Sequence, residues 1–274
     1  MKDIFDRSAI KLIESTHTYV VKEAPHLRFT SVTTFIHQFF QPFDADGIAE
    51  KLAFTKNAKS EYYSKTKEEI LKMWTAIADA GTKTHFEIET WAESYREKVD
   101  VLDPAETDKA KHAIEYLEEA LEEGMEPFCE MRLYSTLYQL SGTIDLLVRK
   151  NPEGLWVMGD WKTNKAIKES GWNGATGIHD ATKYIQDANY WHYALQMSLY
   201  QYILEKEYGL KIENRYLFHL LPKKTKKHPT GMVIYEMPYL KANVHNMLEY
   251  RLKLKEAGRM FEEEDLHKNA EIEI

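Results

Sequence analysis

The sequence contains a single cysteine, Cys129, among its 274 residues. One thiol cannot form a disulfide within the chain, and it cannot supply the four cysteine ligands of an iron–sulfur cluster. We therefore expect no iron–sulfur cluster, and any metal or cofactor must be held by other side chains.

Long hydrophobic runs are also missing. No stretch approaches the roughly 20 apolar residues that a membrane-spanning helix needs, and residues 1–6 show no apolar segment of a signal peptide. We therefore expect no membrane partner and a cytoplasmic location, in a bacterium or, for a viral or phage protein, in the host cell.

The sequence also lacks a surplus of positive charge. It contains 36 Lys and Arg and 44 Asp and Glu, which gives a net charge of −8. This balance argues against a protein that coats nucleic acid without specificity. It leaves room for an enzyme that gathers carboxylates around cations and contacts phosphates through local patches. Lys223-Lys224-Thr225-Lys226-Lys227 is either such a patch or a solvated loop.

The chain shows no internal repeat, low-complexity segment or Ser/Pro-rich linker, which favours a single domain. Apolar residues recur with the helical period between residues 46 and 123, as in Ile70, Trp74 and Ile77. Residues 128–140, 142–149 and 155–161 are rich in β-branched and aromatic side chains and predict a β-meander.

A glycine-punctuated segment, residues 165–186, follows the predicted meander. Beyond it the patterns predict a helix over 187–208, strands over 212–220 and 232–237, and a closing helix over 240–257. This order favours an α/β fold of the α+β type, with a central mixed β-sheet flanked by helices.

The segment Asn151-Pro152-Glu153-Gly154 has the composition of a type I turn and should close a hairpin. Counting outward from this turn gives the expected cross-strand pairs, which are Lys150 with Leu155, Val148 with Val157, and Asp145 with Asp160. A register slip of one residue would break the last pairing.

Asp145 and Asp160 would then lie about 5 Å apart at their Cβ atoms, where like charges are destabilising unless a cation lies between them. Lys162 projects from the same face as Asp160, whereas Trp161 points to the other face. Two carboxylates and an ammonium suit Mg²⁺ or Mn²⁺ and phosphodiester hydrolysis. The alternative is an ordinary Asp/Lys ion pair on an exposed sheet face.

Four separated pieces occur in the order found in the RecB-like branch of the PD-(D/E)XK nuclease superfamily, which this sequence resembles. The pieces are Gly81-Thr82-Lys83-Thr84-His85, Gly142-Thr143-Ile144-Asp145, Gly159-Asp160-Trp161-Lys162-Thr163 and Gln196-Met197-Ser198-Leu199-Tyr200. The sequence departs from the superfamily pattern at Ile144, where the name implies proline. The resemblance spans roughly residues 81–200 and implies a restriction-endonuclease-like core, which we expect over residues 81–260. We expect a helical N-terminal extension at residues 1–80 and, from the acidic and weakly patterned composition, a tail at residues 261–274.

The resemblance also implies roles for the residues in these pieces. It implies a metal held by His85, Asp145, Asp160 and the Trp161 carbonyl. Lys162 would be catalytic, with Gln196 and Tyr200 supporting the catalytic site and the DNA. Glu130 resembles an extra glutamate that many relatives place near the metals. From the residues alone, His85 could instead be structural, and Gln196 and Tyr200 could simply pack a helix.

Two further segments offer nucleic-acid contacts. The glycine-punctuated segment carries basic and aromatic side chains suited to phosphates and base stacking, or it is an ordinary flexible loop. These side chains are Lys165, Lys168, Trp172 and Lys183. Near the N-terminus, His17-Thr18-Tyr19 and Ser31-Val32-Thr33-Thr34 resemble segments that precede the core in mitochondrial and phage exonucleases. The hydroxyls of Ser31 or Thr33 could bind phosphate or cap a helix.

Together these observations predict a DNA exonuclease that uses Mg²⁺ or Mn²⁺ in repair, recombination or replication. Its expected partner is DNA that is single-stranded or has a free end. A structure-selective endonuclease and a non-catalytic nucleic-acid-binding module are the alternatives. The binding module should not need Asp145, Asp160 and Lys162 intact, and all three are present. The oligomeric state and the choice between DNA and RNA stay open.

Overall fold

The computed structural model describes residues 1–13, 16, 18–99, 105–150 and 154–262. Asn151, Pro152 and Glu153 of the predicted turn lie outside these residues, as do His17 and residues 263–274 of the predicted tail. Among the described residues, no helix combines the length and apolar character needed to cross a membrane.

The described ranges contain eight strands and six main helices, which follow one another in runs of up to four elements of one kind. The strands are β1 (Ile10–Ile13), β2 (Thr18–Val21), β3 (Thr30–Ser31), β4 (Glu126–Ser135), β5 (Leu140–Arg149), β6 (Leu155–Lys162), β7 (Lys211–Leu220) and β8 (Met232–Glu236). The helices are α1 (Val32–His37), α2 (Ala45–Ala53), α3 (Lys67–Glu97), α4 (Asp108–Glu122), α5 (Asn189–Ile203) and α6 (Lys241–Glu256). A turn of π-helix, Leu204–Tyr208, continues α5.

Six strands form one mixed sheet in the order β3-β5-β6-β7-β8, with β4 paired to the other edge of β5. The β4–β5 and β5–β6 pairs are antiparallel, which confirms the predicted meander. Strand β7 runs parallel to β6, and the helix α5 makes the crossover between them. The sheet is therefore mixed, as the order of the patterns predicts.

The predicted hairpin register is present, since Val148 lies opposite Val157 and the Lys150 amide donates to the Leu155 carbonyl at 3.1 Å. The run predicted as one strand over 128–140 is divided, because β4 ends at Ser135 and β5 begins at Leu140. Gln139 adopts a positive φ of 49°, which reverses the chain at that point.

Strands near the N-terminus were not predicted. β1 and β2 form a separate antiparallel hairpin, and the two-residue β3 pairs in parallel with Leu140 and Ser141 of β5. Four-residue and two-residue segments are too short to show a hydrophobic period, so only tertiary pairing reveals them. The N-terminal region consequently contains strands as well as helices.

Helices cover both faces of the sheet. On one face α3 and α4 bury a cluster that includes Ile88, Leu117 and Trp161. On the other face, α1, α5 and α6 bury a larger cluster that includes Phe35 and Leu195. Three layers result, and burying both faces explains why β5 and β6 have near-continuous apolar runs.

Helix α3 is 31 residues long and begins with a reciprocal capping box between Thr66 and Glu69. Halfway along it, Gly81 faces the chain just after β6. A Cβ at this position would lie 2.9 Å from Thr163 Oγ1, so the glycine permits the close approach of helix and sheet. This approach brings the next turn of α3, with His85, to the end of β6.

Arg251 of α6 is a fully buried arginine that joins the last helix to the start of the sheet. Its Nε donates to the Tyr138 carbonyl at 2.6 Å, and its Nη2 donates to Thr30 Oγ1 at 2.6 Å and to the Gln139 carbonyl at 3.0 Å. The guanidinium also lies 5.0 Å from the ring centroid of Phe35. One side chain thus fixes β3, the β4–β5 turn and α1 relative to α6.

Arg251→Met should lower the free energy of unfolding by about 3 kcal/mol, because buried hydrogen bonds from a charged donor are lost and their acceptors stay buried. Chemical denaturation measures this change. The matched control is Arg259→Met, at an exposed arginine paired with Glu262, which should cost less than about 1 kcal/mol. Equal losses in the two variants would contradict the anchoring role of Arg251.

Candidate functional site

An opening in the sheet defines the candidate site. One edge of β5 pairs with β3 at Leu140 and Ser141 and with β6 from Leu146 onward. Among the described residues, no strand pairs along this edge with residues 142–145, which lie between these two regions. The ends of β3 and β6 diverge here, and a cleft of about 510 Å³ lies at the fork.

Three carboxylate residues lie in a row across the fork. In the β4–β5 register Cys129 faces Leu146 and Met131 faces Ile144, which places Glu130 opposite Asp145. In the β5–β6 register Leu146 faces Gly159, which places Asp160 one step further, opposite Asp145. Like charges at directly opposed positions repel each other. The row therefore needs positive groups nearby.

Glu130 lies in the middle of β4, which begins at Glu126, two residues before the predicted start of the strand. Its φ is +51°, a left-handed conformation that is uncommon for a residue with a side chain. Cys129 packs on the α3/α4 face of the sheet and Met131 on the opposite face, so the usual alternation breaks at Glu130. The strained backbone directs the Glu130 side chain into the fork.

His85 reaches the carboxylate row from α3. Its Nδ1 lies 3.5 Å from Asp145 Oδ2 and 3.8 Å from Glu130 Oε1. Burial disfavours the charged imidazole, but the Asp145 and Glu130 carboxylates outweigh burial and raise the pKa of His85 to about 9. His85 therefore supplies positive charge to this part of the row.

His85, Glu130 and Asp145 each offer one ligand atom, and these atoms lie within 4.8 Å of one another. A cation could therefore bind all three side chains at once. Burial raises the pKa of Asp145, against the opposing effect of the His85 charge. Carboxylate oxygens and an imidazole nitrogen together suit a divalent metal ion. The residues present thus fit a divalent metal ion.

Asp145 also ties the fork together, since its Oδ2 accepts the Trp161 backbone N–H at 2.9 Å. Asp160 is not part of the three-residue cluster and instead lies beside Lys162, with 3.1 Å between Lys162 Nζ and Asp160 Oδ2. Trp161 points away to the α3/α4 face and packs on Phe218 at 4.7 Å. The predicted alternation along β6 is confirmed.

The Lys162 side chain is held from the α5 side. Its Nζ lies 4.5 Å from the ring centroid of Tyr193, and the Tyr193 hydroxyl donates to Asn164 Oδ1 at 2.9 Å. His219 Nε2 lies 2.7 Å from the Asn164 carbonyl oxygen. These buried contacts hold the Lys162 ammonium at the cleft. The sequence analysis did not identify Tyr193, Asn164 or His219.

Gln196 and Tyr200 lie on one face of α5 and line the cleft. Gln196 Nε2 donates to the Tyr200 hydroxyl at 3.2 Å, and both side chains are buried. Burial raises the pKa of the Tyr200 hydroxyl, which is therefore neutral. A Cβ on Gly142 would lie 2.6 Å from the Tyr200 ring, so the glycine of β5 makes room for this tyrosine.

The candidate nucleic-acid contacts separate into two groups. Ser31 and Thr33 line the cleft, and Ser31 is also the N-cap of α1, with its Oγ accepting the Thr34 amide at 3.0 Å. The others lie on the loop outside the cleft lining. These residues are Lys165, Lys168, Trp172 and Lys183. Lys165 pairs with Glu61, Lys183 pairs with Asp180, and Trp172 is 85% exposed.

The basic segment Lys223-Lys224-Thr225-Lys226-Lys227 joins β7 to β8 and does not line the cleft. Lys224 pairs with Glu115 of α4. Cys129 is buried, and burial raises the pKa of its thiol, so the thiol is protonated at neutral pH. Neither feature contributes to the candidate site.

Sequence reasoning also missed Arg132, which lines the cleft two residues beyond Glu130. It lies opposite Thr143, whose hydroxyl lies 3.0 Å from the Tyr19 hydroxyl. Residues two apart on a strand project from the same face, so the position of Arg132 relative to Glu130 could have indicated that both reach the cleft. The hairpin position of Tyr19 depends on tertiary pairing.

A family model for the PD-(D/E)XK nuclease superfamily matches residues 28–271. The chain therefore belongs to the PD-(D/E)XK nuclease superfamily. The mixed sheet flanked by helices is consistent with the restriction-endonuclease-like fold of that family. Membership indicates a nuclease that acts on nucleic acid with divalent metal ions.

Comparison with curated proteins gave no significant match. Among solved structures, the chain is similar to the one titled "Crystal structure of SSO0001", with a TM-score of 0.34 and 11% sequence identity. The similarity covers 81% of this chain and 76% of that chain.

Gly142→Ala should destabilise the protein by about 1–3 kcal/mol, because the added methyl overlaps the Tyr200 ring in a packed interior. A double-mutant cycle with Tyr200→Ala, followed by urea denaturation, isolates this contact. Since the smaller side chain removes the overlap, Gly142→Ala should cost much less in the Tyr200→Ala background. Additive losses would show that the glycine is not required by Tyr200.

Proposed function

We propose that this chain is an exonuclease of the RecB-like branch that hydrolyses phosphodiester bonds in DNA with Mg²⁺ or Mn²⁺. Its process would be DNA repair, recombination or replication. One observation carries the proposal: all four sequence pieces that resemble this branch contribute residues to the same cleft. The contributing side chains include His85, Thr143, Lys162, Gln196 and Tyr200.

In the proposed site, His85, Glu130 and Asp145 hold the metal, and Asp160 and the Trp161 carbonyl complete its surroundings. The proximity of the first three side chains supports this assignment. A bound divalent cation would polarise the scissile phosphate and lower the pKa of the attacking water. The carboxylates would balance the charge of the cation, which accounts for an acidic row in an enzyme for an anionic substrate.

Lys162 is the proposed catalytic side chain. Its ammonium is buried beside Asp160 and directed by the Tyr193 ring, so it has few alternative positions. From this position it would donate hydrogen bonds to the attacking water or to a phosphate oxygen and would stabilise the negative charge of the transition state. Gln196 and Tyr200 would support the site and contact the DNA backbone.

The loop after β6 would contact the DNA beyond the cleft. Trp172 is 85% exposed, and an exposed indole can stack on an unpaired base. The same loop carries Lys165, Lys168 and Lys183, which would contact phosphates. Lys165 and Lys183 form exposed ion pairs with carboxylates, and a DNA phosphate could replace each carboxylate. Ser31 and Thr33 would contact phosphates inside the cleft.

Lys162→Ala and Asp160→Asn should each reduce hydrolysis of linear DNA by about 10³-fold. The first removes a preorganised positive charge at the reacting phosphate, and the second removes a carboxylate charge from the proposed surroundings of the metal. The measurement is digestion of end-labelled single- and double-stranded linear DNA, matching RNA and covalently closed circles, with Mg²⁺, Mn²⁺ or EDTA. The control is Lys150→Ala, at an exposed lysine paired with Glu213, which should keep full activity.

Products from linear DNA alone, lost in EDTA and in both variants, would support the exonuclease and reveal its polarity. Cutting of closed circles would replace it with the structure-selective endonuclease. DNA binding without hydrolysis under every metal condition would instead favour the non-catalytic binding module.

Metal binding has its own prediction. Glu130→Gln and His85→Ala should each weaken Mn²⁺ binding at least tenfold, since each removes one of three converging ligands. Isothermal titration with Mn²⁺ and with Mg²⁺ measures this change without DNA. Glu213→Gln, at an exposed carboxylate far from the fork along the chain, serves as control and should bind as tightly as the wild type. Unchanged affinity in both test variants would remove these residues from the metal site.

A further inference from the structure

Arg132 of β4 has no role in the proposed chemistry, although it lines the same cleft. It lies two residues beyond Glu130, a distance of roughly 6.6 Å along a strand. Successive phosphates of one strand advance about 3.4 Å along the axis of B-DNA. Arg132 is therefore placed for a phosphate one or two nucleotides from the phosphate at the carboxylate row.

The Arg132 guanidinium makes no hydrogen bond or ion pair with any residue that the structure describes, although its side chain is half-buried. Its Nε is enclosed and without a hydrogen-bond acceptor. Guanidinium carries five N–H donors and is always charged, and burying it without acceptors is costly. The two terminal nitrogens are not among the enclosed atoms, so an anion in the cleft could accept hydrogen bonds from them.

Three charged side chains, Arg7, Glu89 and Glu130, line a small space beside Arg132. Neither Glu89 nor Glu130 forms an ion pair with Arg132, and Arg7 pairs with Glu93. A phosphate would therefore approach Arg132 from the larger cleft, away from these carboxylates. Thr143, opposite Arg132 on β5, adds a hydroxyl at the cleft wall.

The β1–β2 hairpin bounds this side of the cleft through Leu12 and Tyr19. A DNA strand whose end lies at this position does not have to continue past the β1–β2 hairpin. A terminal phosphomonoester carries up to two negative charges near neutral pH, compared with one on an internal phosphodiester, and it offers arginine a bidentate face. The position and chemistry of Arg132 therefore match the phosphate at the end of a strand.

We propose that Arg132 binds the terminal phosphate of a DNA end and thereby makes the protein prefer phosphorylated ends. This specificity rests on the proposed nuclease function, but it concerns binding and can be measured without hydrolysis. Arg132 would hold the end of the strand, while Lys162 and the carboxylate row act on a bond one or two nucleotides away.

The test is fluorescence anisotropy in EDTA, using wild-type protein and oligonucleotides that differ only in a 5′-phosphate, a 3′-phosphate or hydroxyl ends, each labelled at the opposite end. Wild type should bind one phosphorylated end roughly 10- to 100-fold more tightly than the hydroxyl end. Arg132→Gln should abolish this preference and leave binding to hydroxyl ends unchanged. Arg132→Lys keeps the charge without the fork and should retain part of it.

The matched control is Arg149→Gln, at an exposed arginine of the neighbouring strand that pairs with Glu126. It should keep the full preference, and thermal unfolding should show that the Arg132 variants remain folded. Equal affinity of the wild type for all three ends, or an equal loss on every end in Arg132→Gln, would overturn the proposal. A preference seen in EDTA from a protein that never hydrolyses DNA would refute the nuclease while supporting the phosphate site.

Discussion

Repulsion among carboxylates at an open fork in the sheet is the constraint on which the site depends. Glu130, Asp145 and Asp160 occupy opposed positions on three adjacent strands, where pairing alone would place like charges side by side. Neighbouring donor groups stabilise each of them. Asp145 and Glu130 share His85, Asp145 also accepts a backbone N–H of β6, and Asp160 lies beside Lys162.

The rest of the fold supplies these neighbours by close packing. Gly81 lets α3 approach the end of β6 so that His85 enters the fork, and Gly142 leaves space for Tyr200 of α5. Tyr193 of the same helix faces the Lys162 ammonium. Arg251 fixes the β3 branch of the fork, because it joins α6 to β3 and the β4–β5 turn. Rigid packing on both faces thus maintains an arrangement that electrostatics alone would open.

The fork also separates two kinds of positive charge. Lys162 is paired and directed within the chain, which suits a side chain that must hold one position during a reaction. Arg132 lies two residues along β4 from the carboxylate row and has no acceptor among the described residues, which suits a group that receives a ligand. A net charge of −8 is therefore compatible with an anionic substrate, since local placement and not total charge determines where phosphate can bind.

The sequence by itself determined the strongly periodic elements and the local relations within them. The meander, the Val148–Val157 register and the shared face of Asp160 and Lys162 follow from strand alternation and turn chemistry, which are local. Only the tertiary structure decided how separated segments meet. Glu130 enters the row through a left-handed φ, and Arg132 lies in the cleft wall because β3 and β6 diverge from β5. Backbone strain and strand divergence arise from long-range packing, which no local pattern encodes.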